Sequence, residues 1–110
     1  MKSALSQAAA ALIRALSARA GVDRDRVVLT DVHSADWQSL TFTGERHQIG
    51  LRITGRDSGQ AVARMCEDLE DAEFSIPGII VADLCLVWTA ARTLNGDTEL
   101  MIEALTVSED

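Results

Sequence analysis

The sequence predicts an α+β fold: a single compact domain in which a mainly antiparallel sheet is covered by two helices. Three observations lead there. The dipeptide Asn95-Gly96 separates two long apolar runs, and Asn-Gly accepts the positive φ angles of a type I′ hairpin turn. Two segments, 3–20 and 57–71, carry apolar residues at helical spacing. Between them, residues 26–54 alternate or run β-branched in the manner of strands. The expected order is α-β-β-β-α-β-β over residues 1–110, ending in a long hairpin of 79–94 against 97–107.

The first helix is expected over residues 3–20. Leu5, Ala8, Ala9, Leu12, Ile13 and Leu16 share one face, and Gly21 suits the residue just past the helix end. A strand follows over 26–33, with Ser34-Ala35-Asp36 as a turn. Residues 37–43 and 46–54 then read as a hairpin around Gly44-Glu45, glycine being the first central residue of a type II′ turn. That register puts Leu40, Phe42, His47, Ile49, Leu51 and Ile53 on one face. It also sets Trp37 opposite Arg52, a candidate cation–π pair.

Asp57-Ser58-Gly59-Gln60 resembles a capping box that opens the second helix, expected to run to about residue 71. Ala61, Val62, Met65, Cys66 and Leu69 form its inner stripe. Glu67, Asp68, Glu70, Asp71 and Glu73 crowd the end where the macrodipole prefers cations, and Arg64 can pair with Asp68 one turn on. Ile76-Pro77-Gly78 reads as a type II turn into the final hairpin.

In that hairpin a two-residue turn would pair Arg92 with Glu99, Ala90 with Met101, Trp88 with Glu103 and Leu86 with Leu105. Both faces come out mostly apolar, so both need cover. The chain's own helices can supply one; a second copy of the chain is expected to supply the other. Asp83 and Glu103 lie among apolar neighbours, where a carboxylate rises in pKa unless paired; Arg52, Arg64 and Arg92 are the available counter-ions.

Bulk composition bounds the function. The chain has 110 residues, 47% hydrophobic and 25% charged, which fits one domain with its own core. Seventeen acidic residues against ten basic ones give a net charge of −7. Lys2 is the single lysine. A nucleic-acid binder sets Lys and Arg against phosphates, so no nucleic-acid partner is expected, nor an anionic membrane surface. No apolar stretch approaches the roughly 20 residues of a membrane span. Cys66 and Cys85 form no CxxC pair and read as reduced thiols in a cytoplasmic protein. The preference for arginine over lysine, with abundant alanine, points to a GC-rich bacterial source.

Chemistry-bearing motifs are sparse. His33 and His47 are the two histidines, with Asp31 two residues before His33 on the same side of its strand. If the fold joined His33, His47 and Asp31, they would make a two-His, one-carboxylate metal set. Without HxH or HExxH spacing, structural histidines and no metal are the expected reading. Ser34 neighbours His33 only in sequence and no GxSxG elbow exists, so no catalytic residue is assigned. Residues 55–59 open a helix without a phosphate-binding pattern. No cofactor is expected.

The element order, together with the acidic charge, resembles the small acidic homodimeric chaperones of bacterial type III secretion. That family continues into a further C-terminal helix, whereas Val107 lies near the end of this sequence. The resemblance implies a homodimer that holds another protein. The expectation is therefore a non-enzymatic homodimer binding a basic or apolar protein segment. Trp88, Met101 and Leu105 are the expected interface; Trp37, Glu67, Asp68, Glu70, Asp71 and Glu73 are the expected partner-binding residues. The alternative is a small enzyme or a ligand- or metal-binding module with a pocket near His33 and His47.

Overall fold

The computed structural model describes residues 5–92 and 95–108. Two helices, α1 (Gln7–Ala20) and α2 (Ser58–Cys66), lie on one side of a four-stranded antiparallel sheet. The strands are β1 (Val27–Gln38), β2 (Thr43–Ile53), β3 (Ile79–Arg92) and β4 (Asp97–Ser108), in the spatial order β1-β2-β4-β3. The α+β class, the helix pair and the long C-terminal hairpin are as the sequence predicts. The molecule's shortest dimension is 22 Å, the depth of one sheet and one helix layer.

The core lies between the helices and the two central strands. Leu12, Leu16 and Ala20 of α1 and Ala61 and Met65 of α2 are fully buried against Ile49, Leu51 and Ile53 of β2 and Ile102 of β4. Each large side chain of this kind contributes about 1.5–3 kcal/mol on burial. The helix starts where Ser6 caps it, its Oγ accepting from the Ala9 amide at 3.0 Å. Residues 3 and 4, included in the expected helix, lie outside the described residues.

The two helices end side by side, and each end is capped by an arginine of the other. Arg64 Nε donates to the Ala20 carbonyl at 2.9 Å. Arg19 Nε donates to the Met65 carbonyl at 2.8 Å, and its Nη2 donates to the Glu67 carbonyl. Arg19 also lies over the Phe74 ring, 5.9 Å from its centroid. This exchange explains how α2 tolerates its acidic end: guanidinium groups sit on the carbonyls that the macrodipole makes negative. It takes Arg64 away from the expected Asp68 pairing. The helix itself stops at Cys66, short of residue 71, and the acidic run continues as a 3₁₀ turn, Leu69–Asp71, entered through Asp68 at φ 50°. At the other end of α2, Asp57 occupies the N-cap position without capping. Its carboxylate pairs with Arg26 instead, which holds its pKa below the usual range.

Strand boundaries depart from the expectation in one place. The segments 26–33 and 37–43 and the turn between them form one strand, β1, which pairs with β2 from Val27–Ile53 to Gln38–Thr43. The turn falls on residues 39–42, where Ser39 Oγ accepts from the Phe42 amide at 3.1 Å. Leu40 and Phe42, expected in the core, are therefore at the hairpin tip, 104% and 50% exposed. Gly44 lies within β2. A methyl group there would overlap the Thr106 carbonyl oxygen, so the glycine answers to a neighbouring strand and not to a turn.

The C-terminal hairpin is offset from the expected register. Arg92 pairs with Asp97 and Trp88 with Met101. Residues 93 and 94, placed at the expected strand end, lie outside the described residues. Ala82 and Val87 are then extra residues in β3, each producing a bulge. The bulge at Val87 reverses which side chains face the core. Leu84 and Leu86 pair with Ala104 and Ile102 on the helix side, whereas Trp88 joins Met101 on the opposite side. Thr30 is a third extra residue, in β1. All three irregularities fall in the edge strands, where bulges discourage pairing with another chain.

Candidate functional site

The sheet face turned away from α1 and α2 has no element of the described chain over it. Strand alternation decides what it carries. In β2, His47, Ile49, Leu51 and Ile53 point to the helices, so Arg46, Gln48, Gly50 and Arg52 point away. In β4, Leu100, Ile102 and Ala104 are buried under the helices, and Glu99, Met101, Glu103 and Leu105 fall on the uncovered side. Each row across the sheet can then be read from the pairing. One runs Arg52, Glu99, Ala90; the next Gly50, Met101, Trp88; then Gln48, Glu103, Cys85; then Arg46, Leu105, Asp83.

This face thus gathers the three expected interface residues. Trp88 is 45% exposed, and Met101 and Leu105 beside it are half-buried. Around them the polar groups alternate in sign. Gln48 Nε2 donates to Glu103 Oε2 at 3.3 Å. Arg52 lies 3.8 Å from Glu99 and 3.9 Å from Asp97, while its Nε is buried and makes no hydrogen bond. Asp83 shares this face with Cys85, as expected, and burial together with Asp83, Glu103 and Glu70 pushes the Cys85 thiol pKa up. The register sets Glu103 opposite Cys85 and Met101 opposite Trp88, correcting the expected Trp88–Glu103 pair.

The histidines divide between the two sides. His33 pairs with Gln48 and faces outward with Asp31; His47 pairs with Ser34 and faces the helices. The set of His33, His47 and Asp31 is therefore not assembled, and no three His, Cys, Asp or Glu residues gather in metal-binding geometry among the described residues. A recess of about 240 Å³ does touch both histidine positions, between His33, Arg46, Gln48 and Glu103.

His47 is saturated where it sits. Its ring bonds Ser34 Oγ through Nδ1 at 2.7 Å and Thr106 Oγ1 through Nε2 at 2.9 Å. Burial lowers its pKa, with Glu45 Oε1 at 3.8 Å acting in the opposite sense. Glu45 in turn accepts from Ser6 Oγ at 2.8 Å, which ties the group to the start of α1. With both ring nitrogens engaged and no exposed surface, this is the bonding pattern of a structural core histidine.

The remaining expected residues lie elsewhere. Trp37 pairs with Gly44 at the far end of the face, and Arg52 pairs with Val28, so the expected Trp37–Arg52 contact is not made. Glu67, Asp68, Glu70, Asp71 and Glu73 are exposed around the 3₁₀ turn that packs beside β3. Glu67, Asp68 and Asp71 border a shallow recess of about 450 Å³ shared with Arg19 and Arg64. Sequence reasoning overlooked Arg46, Gln48, Arg52 and Glu99 as members of the site; their alternation with buried neighbours was the available signal. At the hairpin tip, Leu40 and Phe42 line a groove of about 390 Å³ with Ile80. No described helix is long and apolar enough to cross a membrane. No family model, no curated protein and no solved structure matches the chain.

Proposed function

We propose that the chain acts as a non-enzymatic homodimer that holds a segment of another protein, in the reducing setting of a bacterial cytoplasm. The observation that carries this reading is the uncovered sheet face. Trp88, Met101 and Leu105 form an apolar centre on a side for which the described chain supplies no second layer. Large exposed apolar patches rimmed by polar groups are the usual signature of an interface. Both edge strands carry bulges, so the face and not the edge is the surface offered.

A partner segment fits elsewhere on the protomer. The exposed carboxylates Glu67, Asp68, Glu70, Asp71 and Glu73 favour a basic segment, and Trp37 offers an aromatic contact. A lysine-rich peptide tests this directly. It should bind the wild type, lose affinity with added salt, and bind weakly to a variant with these five residues changed to Asn or Gln. Equal binding by that variant would remove the acidic run from the account. A second reading is favoured by the recess between His33, Arg46, Gln48 and Glu103, which has the mixed charge of a small-ligand site. It competes with the first, because dimerisation through this face would cover it.

A further inference from the structure

The dimer reading above leaves open how two copies meet, and the inference here rests on that reading. We propose that the uncovered faces pack about a two-fold axis running parallel to the strands, in the seam between β2 and β4. Such an axis lays β2 of one protomer over β4 of its partner and keeps every row opposite the same row. The register then dictates the contacts. Arg52 meets the partner's Glu99, Gln48 meets the partner's Glu103, and Met101 meets the partner's Gly50 position, over which the Thr30 hydroxyl and Asp31 of β1 lean.

Three considerations select this axis. The first is charge. Centred on β4 itself, the axis would press Glu99 and Glu103 against their own copies; centred on β2, it would do the same to Arg46 and Arg52. Only the seam sets opposite or hydrogen-bonding partners across. The second is area. Four strands about 4.8 Å apart, rising about 3.4 Å per residue, present roughly 600 Å² in projection, and side-chain relief brings this near the roughly 800 Å² per partner of a stable interface. The seam is the position that overlaps all four strands, with β1 lying over the partner's β3. The third is Arg52. Its Nε is buried without a hydrogen bond, 3.9 Å from Asp97, and its Nη1 stands 3.8 Å from Glu99 of its own chain, so neither contact reaches hydrogen-bond length. The partner's Glu99, a third carboxylate, supplies an acceptor from across the axis. Arg46 falls over the partner's Leu105, where its aliphatic stem covers the leucine and its charged end reaches the rim. Face-to-face sheets pack about 10 Å apart at about −30°, which keeps the rows of the two inner strands aligned and shifts the outer ones.

The test is a mixing experiment read by light scattering. Wild type should be a dimer. Arg52→Glu opposes two Glu99 carboxylates across the axis, and Glu99→Arg opposes two Arg52 guanidinium groups, so each variant alone should dissociate about tenfold or more readily. In an equimolar mixture both cross-subunit pairs are complementary, and dimers should return, although neither chain has regained its internal pair. Gln48→Glu, at an exposed site remote from the core, repeats the logic: it should weaken the dimer alone and recover it on mixing with Glu103→Lys. Wild-type dimers with variants that dimerise normally, or with mixtures that stay monomeric, would overturn this axis while leaving the dimer standing. A monomeric wild type would remove both.

Discussion

At the level of single residues, His47 carries the most consequence for stability. Its ring is buried with a hydroxyl on each nitrogen. His47→Ala should cost about 2–4 kcal/mol in chemical denaturation, from the cavity and from two hydroxyls left without their partner. The pH dependence has a definite sign. The folded state holds His47 below its ordinary pKa of 6.5, so folding favours the neutral ring. The associated stability is complete above 6.5 and is lost as the pH falls below 6.5 through the lower folded-state value. Thermal denaturation across that range should show a falling midpoint for wild type, and that component should be missing from His47→Asn. An identical slope in both proteins would assign the pH dependence to the carboxylates. The alternation of β2 made the inward direction of His47 legible in the sequence. Its partners were not legible, because Ser34 and Thr106 come from strands whose register no local signal specifies. Gly44 was misread for the same reason: its need to lack a side chain arises from the Thr106 carbonyl of β4, not from its own turn chemistry.

Among the elements, the two helices are linked through their ends. Arg19 and Arg64 exchange across the C-termini of α2 and α1, replacing the local caps that the acidic sequence of α2 does not provide. Arg19→Ala and Arg64→Ala should each destabilise by about 1 kcal/mol in urea denaturation, as expected for a charged donor on terminal carbonyls. Arg64→Lys should recover part of its loss, and a loss no smaller than that of Arg64→Ala would assign Arg64 a packing role. The existence of α1, α2 and the final hairpin was legible because each has a strong period or a strong turn dipeptide. The bulge at Val87 was not. An apolar run such as residues 79–91 reads equally well in either phase, and one extra residue exchanges its faces. Val87 is the extra residue, so deleting it would leave Leu86 opposite Ile102 and Trp88 opposite Met101 in unbroken alternation, and the variant should stay within about 1 kcal/mol of wild type in urea denaturation. A deletion variant that failed to fold would show that the bulge itself, and not the flanking alternation, holds the register.

For the molecule as a whole, one side of the sheet is finished and the other is not. Helices close the first over a continuous aliphatic core. The second carries Trp88, Met101 and Leu105 amid paired charges, with no covering layer in the described chain. The sequence announced this imbalance as two apolar faces on one hairpin. The structure refines it: the outer face is mixed, with Trp88, Met101 and Leu105 set among an Arg52–Glu99 row and a Gln48–Glu103 row. That composition suits an association surface better than a folding core. Leu105→Arg, which would oppose the partner's Arg46 across the axis, should leave denaturation within about 1 kcal/mol of wild type when both are measured as monomers, because the site is half-buried in the single chain. The same change should abolish self-association. The most direct check of the central claim is the molar mass of the unmodified chain by sedimentation equilibrium at micromolar concentration. The account predicts about twice the 11.9 kDa of one chain; a mass that stays at 11.9 kDa across the concentration range would contradict it.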